Sequence, residues 1–547
     1  MAEKTRIAVV GGGLAGLMAT IKIAELGVGV DLFSIVPVKR SHSVCAQGGI
    51  NGAVNTKGEG DSPEIHFYDT VKGGDFLAHQ PLAKGMCYAA PNVIYLLDRM
   101  GVPFNRTAEG LLDFRRFGGT LYNRTAFAGA STGQQMLYAL DEQVRRYEAE
   151  GLVKKYEYWE FLCAVINESG VCDGFVALDL QTMKCETFAE GAVILATGGP
   201  GRVYGLSTNS MINTGAAAIS VYTQGVKYAN GEFIQIHPTA IPGADKHRLM
   251  SESARSEGGR VWVSRKKGDS RDPKSLPAAE RYYFLEEKYP RFGNLVPRDV
   301  ASREIYDVCI KEGRGIEGKA MVYLDLTEKS REFLDQKLGA ILDIYEKFVG
   351  DDPHTTPMKI FPAVHYSMGG LWADFARTED GFVELGNPRN QMTNVAGLYA
   401  IGEVDYQYHG ANRLGATSLL SCLYAGDICG PSAVNYLKTR KVEPTTSAAP
   451  FARERERWEE RLEKIRNMRG AENPYKLHQE LGELMIANVL IVRENKRLDE
   501  TYAKLLEIRE RWSNCGCPDT TGWSNQTVPF MNQLWMMIEL ALVITKG

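Results

Sequence analysis

The chain has 547 residues, 44% hydrophobic and 24% charged, so it carries enough apolar material for several cores and global disorder is excluded. A net charge of −4 with acids and bases interspersed gives no electrostatic footprint for nucleic acid, and none is expected among the partners. Fifty-six glycines exceed average usage by roughly 18 and follow no Gly-X-Y period, which excludes collagen. Length at about 150 residues per domain suggests three or four domains. The N-terminal MAEKTRIAVVGGG lacks the apolar stretch of a signal peptide. No run reaches the ~18 apolar residues of a spanning helix; the nearest, Leu534 to Ile544, is short and contains Glu539. Ten cysteines without Cys-x-x-Cys spacing read as reduced thiols, Cys515 and Cys517 as two loop thiols, and no metal site is expected.

Arg6 to Val10 is a short β-branched run ending in glycines, as a buried strand should be. Apolar residues then recur at helical spacing from Leu14 to Leu26, with Gly27 placed to cap the end, and Val28 to Phe33 reads as a second strand. The β-α-β order predicts a parallel, doubly wound sheet. Ala192 to Ala196, ending in ATGGPG, and Leu398 to Ile401, ending in Gly402-Glu403, repeat the strand-then-glycine pattern. The expected organisation is therefore an α/β nucleotide-binding domain at 1–237 and 358–431, interrupted by an α+β capping domain at 238–357. Within that insertion Ser264 to Ala279 is basic, polar and Pro-containing and reads as an exposed loop. From Phe451 to Gly470 twelve of twenty residues are charged with mixed signs, the pattern of a solvated surface helix. Helical periodicity continues from Tyr475 to Trp512, so 432–547 is expected to be a C-terminal helical domain.

Gly11-x-Gly13-x-x-Gly16 lies between the first strand and helix. Glycine at the first position permits the tight turn, at the second close approach to a pyrophosphate, at the third close helix–strand packing. The anion then sits on the helix N-terminus, beside Ala15. The motif does not separate NAD from FAD. The acid expected at the end of the second strand to hold a ribose is missing; Asp31 comes too early and Ser34 takes the place, offering a hydroxyl.

KRSHSVCAQGGINGAV (Lys39 to Val54) follows directly, and its Arg-Ser-His and Ala-Gln-Gly-Gly resemble the flavin-attachment segment of succinate dehydrogenase and fumarate reductase flavoprotein subunits. The resemblance continues in the family's order through DFRRFGG (113–119), EFIQIHPTA (232–240), LMSESARSEGGR (249–260), NLVPRDVASR (294–303), FPAVHYSMGG (361–370), GLYAIGEVD (397–405) and HGANRLGATSLL (409–420), and the wording is most similar to the Bacillus-type members. It implies FAD joined covalently to His42 through its 8α carbon. An uncharged imidazole nitrogen is a competent nucleophile for that bond, and the linkage is expected to raise the flavin potential, which oxidation of an unactivated C–C bond requires. The family pattern also places Arg40 and Ser41 against the cofactor, Gln47, Gly48 and Gly49 around its ring, Glu403 at the ribitol or ribose, and Ser418 and Leu419 at the pyrimidine edge.

The same resemblance implies oxidation of succinate to fumarate, reversibly. A dicarboxylate needs cationic or donor groups at both ends, and guanidinium meets carboxylate bidentately. Arg413 matches the family's clamp, His237 and His365 its carboxylate-binding histidines, Ser251 a hydroxyl donor where the family often has Thr, and Phe117 an apolar wall. Arg298 resembles the proton carrier, with Glu252 and Arg255 as its relay, their three-residue spacing suiting one helical face. Three departures stand out. Ser256 replaces a usual Gly, Ala216 and Ala217 replace the Asp-Gly of a Thr-Gly-Asp-Gly motif, and family chains continue past Val543 to Gly547, which implies a further tail. No cysteine set here holds an iron–sulfur cluster. The family therefore implies an iron–sulfur subunit and a membrane-anchor cytochrome b as partners, placing the chain on the cytoplasmic face of the cell membrane. A fumarate reductase working direction and L-aspartate oxidase are the alternatives; the second binds FAD noncovalently, and His42 argues against it.

Overall fold

The computed structural model describes residues 5–243, 246–440 and 448–547. The first motif sits in a five-stranded parallel sheet. Its strands are β1 (Ile7–Val10), β2 (Val30–Ser34), β3 (Val153–Glu157), β4 (Ala192–Leu195) and an edge strand at Leu398–Ala400, which lies next to β4 in an order that continues through β1, β2 and β3. Register pairs Ile7 with both Ala192 and Val30. Ile7 and Val9 enter one core and Ala8 and Val10 the other, so the strand reads as an unbroken apolar run because both faces are covered. Helix α1 (Leu14–Glu25) covers one face, and Gly27 closes it by donating to the Ala24 carbonyl at 2.9 Å. The second strand starts two residues later than its pattern suggests and includes Ser34.

A second sheet, six-stranded and antiparallel, is assembled from β5 (Ile234–Ile241), β6 (Arg248–Leu249), β7 (Arg260–Ser264), β8 (Arg281–Tyr282), β9 (Val322–Asp325) and β10 (Met358–Ser367), in the order β6-β5-β10-β9-β7-β8. Helices α2 (Arg298–Tyr306) and α3 (Arg331–Val349) pack on it around Val261, Leu324, Leu338 and Ile360. A boundary at 237/238 falls inside β5, and one at 431/432 falls inside helix α4 (Ser418–Thr439), so chain continuity there runs through regular elements. The 264–279 segment is mostly exposed, pinned by Leu276 against Trp262 and Tyr283.

The C-terminal helices are α5 (Ala448–Arg466), α6 (Pro474–Asn488), α7 (Asn495–Trp512) and α8 (Thr527–Lys546). The stretch read as continuous helical periodicity is two helices, separated where Val489 and Leu490 leave the helix to bury themselves in the C-terminal core. Helix α8 corrects the search for apolar runs. In an 18-residue window of this 20-residue helix mean hydropathy reaches 1.4, enough to cross a membrane by length and composition, although Asn532, Gln533 and Glu539 interrupt the apolar pattern. Of that window 72% is buried in the protein, as in a core helix.

Candidate functional site

Two cavities meet at His42, Ser43, Glu403 and Cys422. The first, about 140 Å³, runs along the glycine motif and is bordered by Gly11, Gly13, Ala15, Ser34 and Ser41. Gly11 holds φ +125°, and a Cβ there would overlap the Ala196 carbonyl; Gly16 borders no cavity and packs against the Gly11 carbonyl. Leu14 and Ala15 at the N-terminus of α1 border this cavity; the N-cap residue Gly13 has no side chain to cap the helix, and the Leu14 N–H donates to Ser43 Oγ at 3.3 Å. Arg40, like Gly16, borders neither cavity although a cofactor contact was expected of both; it ends a 3₁₀ turn (Val38–Arg40) that buries Val38 and leaves Arg40 exposed.

The second cavity, about 360 Å³, gathers Gln47, Gly48, Gly49, Glu403, Ser418 and Leu419 along one side. Facing them are Phe117, His237, Ser251, His365 and Arg413, with Glu252 and Arg298 also on its wall. His237 and His365, 128 positions apart, are brought together because β5 and β10 are neighbours in the six-stranded sheet, and Arg298 joins them because α2 packs on β5. Phe117 is held between Gly48 and Gly415, and a Cβ on either glycine would lie 2.8 Å from the ring.

The charged centre is compact. Glu252 receives Arg298 Nε and Nη2 on Oε2 at 3.1 and 2.8 Å, and Arg255 Nη2 on Oε1 at 2.6 Å. All three are at most 5% exposed. Burial pushes the Glu252 carboxyl up, but the combined pull of Arg298 and Arg255 outweighs it and holds the group below its ordinary value. Arg255 also donates to the Asn294 carbonyl at 2.8 Å, and its own proton affinity is lowered by burial and by Arg298. Arg413 is pushed down to about 9 by burial and the Arg298 charge; its guanidinium lies 4.7 Å over the Tyr366 ring. Burial raises the Glu403 carboxyl to about 7, against the Ser367 N–H that donates to it at 3.0 Å.

The histidines are neutral. Burial, reinforced by nearby cations, pushes His237 and His365 well below the ordinary histidine value. The Thr239 N–H donates to His237 Nδ1 at 3.2 Å, leaving the ring proton on Nε2, which has no partner within the protein. His365 Nδ1 lies 2.7 Å from Thr208 Oγ1. Burial, then Lys246, drives His42 to about 3, and the Ser210 N–H donates to its Nδ1 at 3.1 Å.

Sequence reasoning missed several supporting groups. Gln235 accepts from Arg298 Nη1 at 3.0 Å and donates to the Arg413 carbonyl at 2.5 Å, tying the two arginines together. It stands two residues before His237 on a strand, and that spacing was the available signal. Thr208, Asn209 and Ser210 carry no motif signal; only folding sets them beside His365 and His42.

Residues 6–419 match the family model described as FAD binding domain, and residues 478–547 the model described as Fumarate reductase flavoprotein C-term. The chain is 61% identical to the succinate dehydrogenase flavoprotein subunit of Bacillus subtilis (strain 168), an alignment covering all of this chain and 89% of that one. It is 32% identical to the fumarate reductase flavoprotein subunit of Proteus vulgaris, over 98% of this chain and 85% of the relative. Among solved structures, the E. coli quinol fumarate reductase superposes with a TM-score of 0.88 at 29% identity, covering 99% and 88% of the two chains. The protein is an FAD-dependent oxidoreductase and belongs to the family of succinate dehydrogenase and fumarate reductase flavoprotein subunits.

Proposed function

We propose that the protein interconverts succinate and fumarate as the flavoprotein subunit of a succinate:quinone oxidoreductase, with FAD covalently attached at His42. The observation that carries this reading is a cavity faced by three donors for carboxylate, Arg413, His237 and His365, whose wall also holds an arginine paired to a buried glutamate.

The residues present fit FAD. Glycines line the first cavity, among them Gly11 where a Cβ would collide with the Ala196 backbone, the N-terminal turn of α1 borders it, and a neutral imidazole stands where it joins the second. Gly11, Gly13, Ala15 and Ser34 would hold the dinucleotide end, and Gln47, Gly48, Gly49, Ser418 and Leu419 the ring system. When bound, FAD supplies the hydride acceptor.

Arg413, His365 and Ser251 bind the substrate's carboxylates together with the unpartnered Nε2–H of His237, and Phe117 closes the apolar side. Neutral histidines suit this task, because each can donate one hydrogen bond without adding further charge beside the arginines. Arg298 carries the proton: in the reducing direction its guanidinium donates to carbon, and in the oxidising direction it accepts. An isolated arginine stays protonated, so Arg298 accepts a proton only as it gives one up to Glu252, which it meets on Oε2 at 2.8 Å and which passes the proton onward to Arg255 at the 2.6 Å contact on Oε1.

The quinol fumarate reductases among the structural relatives support electron exchange with a quinol; the family resemblance adds an iron–sulfur subunit and a membrane anchor as partners, with the chain on the cytoplasmic face of the membrane. The test pairs mass spectrometry of the tryptic peptide containing His42 with a succinate-to-dye assay. A flavin adduct on that peptide and succinate-dependent dye reduction are expected; an unmodified peptide refutes the linkage, and an FAD-loaded protein inert toward succinate refutes the activity.

A further inference from the structure

Arg298 and Arg413 are the cationic side chains at the buried end of the second cavity; Lys246 and Arg248 lie on its outer part, the Arg248 guanidinium 4.6 Å over the Phe348 ring. Lys246 sits on the turn between β5 and β6, half-buried, on the outer part of the cavity wall with Cys45 and Phe348; Phe348 is 52% exposed there, whereas Arg298 and Arg413 at the inner end are 5% and 2% exposed. Its ammonium donates to the Thr208 carbonyl at 3.3 Å and lies 3.6 Å from the Cys45 sulfur. Among the described residues no carboxylate is within ion-pair distance of it. Its charge lowers the proton affinity of both His42 and His365, two residues of the cavity wall. An ammonium whose partners among the described residues are a carbonyl and a thiol, half-withdrawn from water, is suited to an incoming anion.

We propose that Lys246 is a capture residue for the dicarboxylate: its ammonium takes one carboxylate at the cavity mouth and passes the dianion inward to Arg413 and His365. This rests on the dicarboxylate reading of the site given above. The physical need is clear. The chain as a whole carries a charge of −4, which repels a dianion at long range. A cation at the mouth of a low-dielectric cleft reverses the local field and focuses it inward. Glu252 does not cancel this field, because both its oxygens are occupied by Arg298 and Arg255. Lys246 also spans a seam: it belongs to the β5–β6 turn, while Cys45 and Thr208 belong to the segments around His42, so an anion arriving at the ammonium is already between the two walls of the site.

The test compares K246Q and K246R with the wild-type full chain in its assembled, FAD-loaded enzyme. Succinate kinetics are measured across ionic strength, with inhibition by malonate, a dianion with no adjacent pair of CH₂ groups to dehydrogenate, as a binding readout. In K246Q, kcat/KM at low salt falls roughly 10-fold and its salt dependence flattens, while kcat changes less than about twofold. Malonate inhibition weakens by a similar factor, and K246R restores most of both. The proposal is overturned if K246Q keeps the wild-type kcat/KM and salt slope, or if kcat falls in step with kcat/KM while KM and malonate inhibition hold. Loss of covalent flavin from K246Q also overturns it, by moving the residue's role to His42. A wild-type enzyme that does not oxidise succinate refutes the activity itself, an outcome distinct from these.

Discussion

Replacing Glu252 by Gln removes the negative charge from between two buried guanidiniums. The carboxylate receives three hydrogen bonds, two from Arg298 and one from Arg255. At about 4 Å and an effective dielectric near 20 each charge pair is worth about 4 kcal/mol, so about 8 kcal/mol of attraction is lost. Several kcal/mol return because the carboxylate no longer has to be desolvated, which leaves a net loss of about 3–5 kcal/mol. The amide makes matters worse on one side, since its NH₂ must face a guanidinium that is also a donor. Unfolding followed by circular dichroism should therefore show a melting midpoint lower by roughly 3–4 °C, since the unfolding entropy of so long a chain is large. Succinate turnover should fall about 10²–10⁴-fold, the range for loss of a positioned acid–base group. KM should not rise, because deleting an anion makes the cavity more positive toward a dianion. An E252Q enzyme that folds, holds FAD and turns over within threefold of the wild type would refute the relay. A raised KM with normal kcat would show that Glu252 acts on binding instead.

Three further outcomes follow from the geometry. Thr208→Val removes the hydroxyl 2.7 Å from His365 Nδ1; kcat/KM for succinate should fall about 10-fold, mostly through KM, with Thr208→Ser recovering it, and unchanged KM in T208V would show that the ring needs no such support. The pH profile of kcat/KM should show no inflection at the ordinary histidine value of about 6.5, since His237 and His365 are already neutral there. Arg413 binds carboxylate only while protonated, so kcat/KM should decline as pH rises through about 9, and a profile flat to higher pH would contradict that shift. Gly11→Ala and Gly13→Ala should differ. Gly11 has φ +125° and no room for a Cβ, so its variant loses both stability and flavin, whereas a Cβ at Gly13 meets only Ser43 Oγ at 3.4 Å. Flavin absorbance per chain should drop in both, but the melting midpoint should drop clearly only in G11A.

Much of the architecture was legible because it is local. Arg6 to Val10 reads as a strand because a parallel strand covered on both faces must be apolar at every position, and Gly11-x-Gly13-x-x-Gly16 reads as an anion cradle because each glycine answers a steric demand within a few residues. The motif resemblance likewise pointed to His237, Glu252, Arg298, His365 and Arg413, and the second cavity brings them together. The helix break near Val489 was not legible. Its cause is the pull of the C-terminal core on Val489 and Leu490, which periodicity along one segment does not register.

By itself, then, the sequence determined which residue types stand where: the glycine surplus beside strand ends, the neutral and cationic side chains suited to a dinucleotide and a small dianion, and the parallel core that carries the first of them. Only the tertiary structure decided how those groups act on one another. Asn209 and Ser210 reach His42 from 167 and 168 residues away, Gln235 bridges Arg298 to Arg413, Arg40 turns outward to solvent, and Lys246 arrives at the mouth of the cavity from a turn with no motif of its own. These relations rest on long-range strand pairing and on burial. Both set protonation and hydrogen-bond partners through neighbours that are distant in the chain, and no local pattern encodes them.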